Sequence, residues 1–147
     1  MEHIGEQMIS IVIPGKPIAK HRPRFARRGK HVVTYSDQQE DEVKFISLAQ
    51  LSVDEPMSGP LKAQIEFYMP RPKSHYGTGK NSGILKPNAP GYHTVKPDTD
   101  NLIKFVLDCL NGIAFHDDAL IFSLYANKYY AQLGRERTVI AIAEMEL

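Results

Sequence analysis

The pattern of apolar and polar positions along the chain predicts five short strands. Leu61–Met69 reads LKAQIEFYM and places every second residue on one apolar face, which is the period of a half-buried strand. Residues 8–13, 120–130 and 138–145 are rich in β-branched and apolar residues and are predicted as further strands. After residues 8–13 and a run of basic residues, the chain returns as a second strand over His31–Tyr35, so these two strands are predicted to form a basic β-ribbon.

Two other stretches follow the helical period. Ser36 and Asp37 provide an N-cap for a first helix that ends near Leu51, with apolar residues close to helical spacing. A second helix is predicted over residues 98–111, with Gly112 as its C-terminal cap.

A segment rich in proline and glycine precedes the second helix. Residues 70–97 contain five prolines and four glycines, and a loop of this length in a small domain is typically functional. The element order β-β-α-β-loop-α-β-β predicts an α/β fold of the mixed α+β kind, with a small mixed sheet and two main helices. The 147 residues are enough for one hydrophobic core, so we predict a single domain over residues 1–147.

The charges are distributed unevenly although the net charge is only +1 at pH 7. Residues 7–36 and 67–97 contain no acid, and they hold seven and five cations, together 12 of the 18 in the chain. Such stretches attract polyanions, with solvated loops as the simpler alternative. The predicted DNA-binding residues are Lys20, Arg22, Arg24, Arg27, Arg28 and Lys96.

Several classes of protein are excluded by what the sequence lacks. No apolar run approaches the roughly 18–20 residues that span a bilayer, and the opening MEHIGEQM lacks the segments of a signal peptide, so we expect a cytoplasmic protein without a membrane partner. The single Cys109 excludes an internal disulfide and a Cys-rich zinc site. No Gly-rich phosphate loop is present, which argues against a nucleotide cofactor.

Candidate catalytic residues are grouped in the segment KPDTDNLIKFVLDCLNGIAFHDD. Asp98 and Asp100 begin the second helix, Lys104 lies one turn further, and Asp117 and Asp118 follow the helix end. Carboxylates suit Mg²⁺, which activates water and neutralises phosphodiester charge, and an ammonium group stabilises the charge that develops. The predicted metal ligands are Asp98, Asp100 and one of Asp117 and Asp118. Lys104 is predicted to stabilise the transition state or to orient the attacking water.

Other interpretations of these acids are possible. Asp98 alone fits an N-cap that stabilises the helix, and Lys104 with Asp108 fits a surface ion pair. A calcium loop counted from Asp98 fails, because Ile103 stands where glycine is required and Cys109 where glutamate is required. A glycosyltransferase D-x-D site needs a nucleotide-binding domain, for which this chain has little room.

The same segment resembles the signature of RusA-type Holliday junction resolvases, the crossover junction endodeoxyribonucleases of bacteria and their prophages. The family pattern, D-x-D-N-L-x-K followed by a helix end and a later D-D, is matched by Asp98, Asp100, Asn101, Leu102, Lys104, Asp108, Leu110, Asp117 and Asp118. The opening IPGKPIAKHRPRF is also similar to phage-type members, through Pro17, Lys20, Arg22, Pro23 and Arg24. Residues 71–95 form a longer loop than short members have.

This resemblance implies a homodimer that binds four-way DNA junctions and makes paired symmetrical nicks with Mg²⁺, or with Mn²⁺ in its place. It implies Asp98, Asp100 and Asp118 as metal ligands and Lys104 as the essential lysine. The three carboxylates must then meet in one pocket, within one chain or through the dimer. Two alternatives stay open, namely a nuclease for other branched DNA and a DNA-binding module without catalysis.

Overall fold

The computed structural model describes residues 7–22, 24–35 and 37–147, so Pro23 and Ser36 lie outside the described residues. The described residues form six strands, namely β1 (Gln7–Pro14), β2 (Arg24–Arg28), β3 (His31–Tyr35), β4 (Leu61–Met69), β5 (Ile121–Tyr130) and β6 (Arg137–Glu144). Two α-helices lie between them, α1 (Gln39–Ala49) and α2 (Thr99–Leu110). The predicted mixed α+β fold is confirmed. Within the same ranges, no helix has the length and apolar character needed to cross a membrane.

Four strands form one mixed sheet in the order β1-β6-β4-β5. β4 runs parallel to β5 and antiparallel to β6, which is itself antiparallel to β1. The predicted alternation in β4 is confirmed, since its buried residues are Leu61, Ala63, Ile65, Phe67 and Met69.

The hydrophobic core lies between this sheet and the two helices. Residues from β1, β4, β6, α1 and α2 form one buried cluster. The rings of Phe45 in α1 and Phe105 in α2 meet edge to face with centroids 5.7 Å apart, an arrangement that contributes about 0.5–1.5 kcal/mol beyond burial alone. The core therefore fixes α2 on the sheet and leaves its opposite face in solvent.

The basic ribbon has a different partner strand from the one predicted. β3 pairs with β2, whose sequence RFARR was not predicted as a strand, and β1 pairs with β6. A two-residue connection through Gly29, which has φ of 63°, joins β2 to β3 in the way expected of a tight hairpin. Because the described side chains of this hairpin are mostly exposed, it needs no apolar alternation, and this is why the sequence pattern missed β2.

The first helix begins later than predicted. Its N-cap is Gln38, without a side-chain capping hydrogen bond, so the helix does not begin directly after Asp37 as predicted, and the predicted cap at Ser36 lies outside the described residues. The buried Gln38 side chain instead donates to the carbonyl of Ala19 (2.8 Å) and accepts from the backbone N–H of His21 (2.9 Å). These two bonds hold the basic segment after β1 against α1.

The long loop ends on the outer edge of β5. Residues 70–97 contain two short 3₁₀ turns, Lys73–His75 and Gly79–Asn81, and neither strand nor α-helix. Near its end, the N–H of His93 donates to the carbonyl of Lys128 (3.1 Å) and the N–H of Tyr130 donates to that of Gly91 (2.9 Å). The loop thus covers the second half of an edge that would otherwise be open.

Candidate functional site

A lysine from the sheet holds the turn that leads into the acid segment. Lys128 occupies an inward-facing position of β5, opposite Phe67 of β4. Its ammonium donates to the carbonyl oxygens of Val95 and Pro97, each at 2.7 Å. Bonds from a charged donor are about twice as strong as neutral ones, so this side chain fixes the backbone immediately before Asp98.

Asp98 and Asp100 lie at the N-terminus of α2 with exposed carboxylates. Asp98 occupies the N-cap position with extended backbone, yet its side chain accepts no capping hydrogen bond. Among the ion pairs of the described residues, none involves either carboxylate. The capping interpretation of Asp98 therefore does not account for its carboxylate, although the helix dipole favours negative charge here.

The exposed face of α2 continues from Asp100 through Lys104 to Asp108, at intervals of one helical turn. The predicted ion pair between Lys104 and Asp108 is not present. Asp108 is instead 3.4 Å from the ammonium of Lys20, which also lies 3.6 Å from the carboxylate of Glu42. Lys104 is exposed and has no ion pair among the described residues, so its charge is available to a ligand.

Asp117 and Asp118 follow the C-terminal end of the same helix. The Asp117 side chain accepts from the N–H of Ala119 (2.9 Å), and the N–H of Asp118 donates to the side chain of Asn111, the C-cap of α2 (2.8 Å). Burial, together with a hydrogen bond to and repulsion by Asp117, raises the pKa of Asp118. This carboxylate sits among other acids and has no cation paired with it in the described part of the chain.

The acids consequently form two groups within one chain. Asp98 and Asp100 lie at one end of α2 and Asp118 beyond the other, and 12 residues of helix separate these ends by about 18 Å. Across residues 7–22, 24–35 and 37–147, no three His, Cys, Asp or Glu side chains are grouped closely enough to hold one metal ion. One chain does not bring the three expected ligands together.

The predicted DNA-binding residues occupy three different environments. Arg22, Arg27, Arg28 and Lys96 are exposed, the last of them two residues before Asp98. Lys20 is largely buried between α1 and α2 and pairs with their acids, so it contributes to packing. The side chain of Arg24 lies outside the described part of β2.

Two positioning residues were missed by the sequence reasoning. Lys128 could have been found from the sequence, because it is a charged residue between Ala126 and Tyr130, on the inward face of a strand. Asn111 had none, since an asparagine after a helix is equally expected as a simple C-cap. Its side chain nevertheless holds the backbone of Asp118.

Comparison with known proteins identifies the family. Residues 14–143 match the family model "Endodeoxyribonuclease RusA". The chain is also 29% identical, over 140 residues, to the uncharacterized protein YqaN of Bacillus subtilis (strain 168), an alignment that covers 90% of this chain and 94% of YqaN. The name of this relative gives no activity, but the two proteins align over nearly their whole lengths. The expected resemblance is confirmed, and the chain belongs to the RusA endodeoxyribonuclease family.

Proposed function

We propose that this protein is a Mg²⁺-dependent endodeoxyribonuclease that resolves four-way DNA junctions by paired symmetrical cleavage. Membership of the RusA family implies a junction-resolving endonuclease. The observation that carries the proposal for this chain is the exposed face of α2. There, among the described residues, carboxylates without an ion pair lie at both ends and Lys104, equally without one, lies between them.

The carboxylates suit a hard divalent cation. Asp98, Asp100 and Asp118 offer oxygen ligands, which Mg²⁺ prefers, and none is neutralised by a described lysine or arginine. When bound, the metal activates water and offsets phosphate charge. Mn²⁺ accepts the same ligands and is expected to replace it.

Two copies of the chain are needed to complete the site. A two-fold axis that sets two α2 helices antiparallel brings Asp98 and Asp100 of one copy to Asp118 of the other, and it does so twice. The first half of β5, close to Asp118, supports such contact, because no described strand pairs with its outer edge and Phe122 and Leu124 are 60% and 39% exposed. Two equivalent sites on one dimer would cut two strands symmetrically.

The remaining residues act on the DNA around the metal. Lys104 places a positive charge on the face where charge develops on the phosphate. Four exposed cations, namely Arg22, Lys96 and the hairpin residues Arg27 and Arg28, contact backbone phosphates. Lys128 keeps Asp98 in place through its hold on the preceding turn.

The direct test is cleavage of a synthetic four-way junction with and without Mg²⁺. Asp98→Asn and Asp118→Asn should each reduce cutting by about 100-fold or more, while junction binding in the absence of metal stays near the parent level. Asp54→Asn, at an exposed aspartate outside the α2 face, is the matched control and should cut like the parent.

Loss of folding does not explain the expected result for Asp118→Asn. The raised pKa of Asp118 means that its charge opposes folding above the unfolded-state pKa, so a neutral amide keeps or raises stability at pH 7. Flaps and plain duplexes tested beside the junction separate a resolvase from a nuclease for other branched DNA. Metal-independent binding without any product would instead identify a non-catalytic module.

A further inference from the structure

A pocket at one end of the sheet has no part in the acid site. The connection from β5 to β6 crosses the end of β4, where the N–H of Ala131 donates to the carbonyl of Met69 (2.8 Å). Beside the crossing lies an open pocket of about 320 Å³, within the range typical of small-molecule sites. Its lining residues are Tyr68, Tyr130, Gln132, Arg135 and Arg137.

Arginine guanidinium groups lie over the two tyrosine rings of this pocket. The guanidinium of Arg137 lies 3.9 Å from the ring centre of Tyr68, and that of Arg71 lies 5.1 Å from the ring centre of Tyr130. Arg137 also donates to the carbonyl of Arg135 (2.7 Å), whose own side chain is exposed. One face of each ring is therefore covered by a guanidinium group, and the pocket presents stacked guanidinium and tyrosine planes, both of which accept a base.

A row of tyrosines extends from the pocket towards the loop that precedes the acids. The Tyr68 and Tyr129 ring centres are 5.7 Å apart, and those of Tyr129 and Tyr92 are 6.1 Å apart. Tyr92 is 72% exposed and lies six residues before Asp98 in the loop segment paired with β5. The row thus connects the pocket with the chain segment that enters α2.

The chemistry of this surface matches an unpaired nucleobase. Tyrosine faces stack on bases of any sequence and arginine adds cation–π and phosphate contacts, while the amide of Gln132 offers both a donor and an acceptor to a base edge. Bases inside a duplex are stacked on each other and present no free face. Only a base released at a branch point or in a single strand fits such a pocket.

We propose that the pocket formed by Tyr68, Tyr130, Gln132, Arg135 and Arg137 binds an unpaired nucleobase of the branched DNA. The inference rests on the proposed function for its substrate class and adds a second contact, separate from the metal site. It gives the protein a way to select DNA that contains unstacked bases over plain duplex.

The experiment measures binding of a single-stranded oligothymidylate to the full chain without divalent metal. Tyr68→Leu, which keeps apolar bulk and removes the ring, should weaken binding about tenfold, the loss expected for one stacking surface. Arg135→Ala should weaken binding and lower the slope of log affinity against log salt by about 0.7. Tyr76→Leu, at a tyrosine outside both the pocket and the tyrosine row, is the matched control and should bind like the parent.

Thermal melting of each variant verifies that it is folded. If Tyr68→Leu does not fold, the pocket is tested by the binding of Arg135→Ala, which changes an exposed side chain. The proposal is overturned if the parent does not bind the oligonucleotide, if both pocket variants bind like the parent, or if Tyr76→Leu loses as much affinity. Junction cleavage by the parent is scored separately. If the parent cuts junctions but both pocket variants bind the oligonucleotide like the parent, the pocket proposal alone is disproved. If the pocket variants lose binding but the parent does not cut junctions, the nuclease proposal alone is disproved.

Discussion

At the scale of single residues, the geometry of the proposed site depends on side chains other than the proposed metal ligands. Lys128 donates two short bonds to the carbonyls of Val95 and Pro97, and each bond from a charged group is worth about 1.5–3 kcal/mol. The turn held in this way determines where the carboxylate of Asp98 lies relative to Asp100.

Lys128→Met is accordingly expected to raise the Mg²⁺ concentration for half-maximal junction cleavage about tenfold, the loss typical of groups that orient metal ligands. Lys128→Arg should restore part of the Mg²⁺ affinity, because it keeps the charge and the donors. Lys62→Met, at an exposed position of β4, is the control and should leave the Mg²⁺ requirement unchanged. If Lys128→Met melts like the parent and its Mg²⁺ requirement is unchanged, the turn keeps its conformation without Lys128, and the positioning role is contradicted.

At the scale of elements, burial decides what the sequence pattern could predict. β4 and α2 were predicted almost to the residue, because each has one buried face and one solvated face that the sequence records. β2 was missed because the described side chains of the hairpin lie mostly in solvent and carry no alternation. α1 begins slightly later than predicted, with Gln38 as its N-cap, and the buried side chain of Gln38 makes a tertiary contact with Ala19 that a local sequence pattern does not record.

Because the β2–β3 hairpin is exposed, its arginines can be replaced to test whether they contact the DNA phosphate backbone. Replacing Arg27 and Arg28 together by alanine should lower the slope of log junction affinity against log salt by about 2, one for each phosphate that the variant no longer neutralises. Neither side chain is buried, so the melting temperature should not change. The paired control replaces two exposed lysines elsewhere, Lys44 and Lys62, and an equal drop in that slope would contradict a specific role for the hairpin.

At the scale of the whole molecule, the sequence predicted the members of the candidate site but not their separation. Spacing along the chain placed Asp98, Asp100 and Lys104 on one helix correctly. It could not reveal that α2, about 18 Å long, holds Asp118 apart from the other two. The resemblance implied a homodimer, but spacing along one chain could not show that a second copy is needed to complete the proposed site.

Mixing two inactive variants distinguishes a shared site from one contained in a single chain. In a dimer of Asp98→Asn with Asp118→Asn, one shared site carries both substitutions, while the other combines intact Asp98 and Asp100 with an intact Asp118. Co-refolded mixtures should therefore regain cleavage, and they should nick one strand of each junction in place of two. Sites confined to single chains would each retain one substitution, so a mixture that stays as inactive as its components would refute assembly across the dimer.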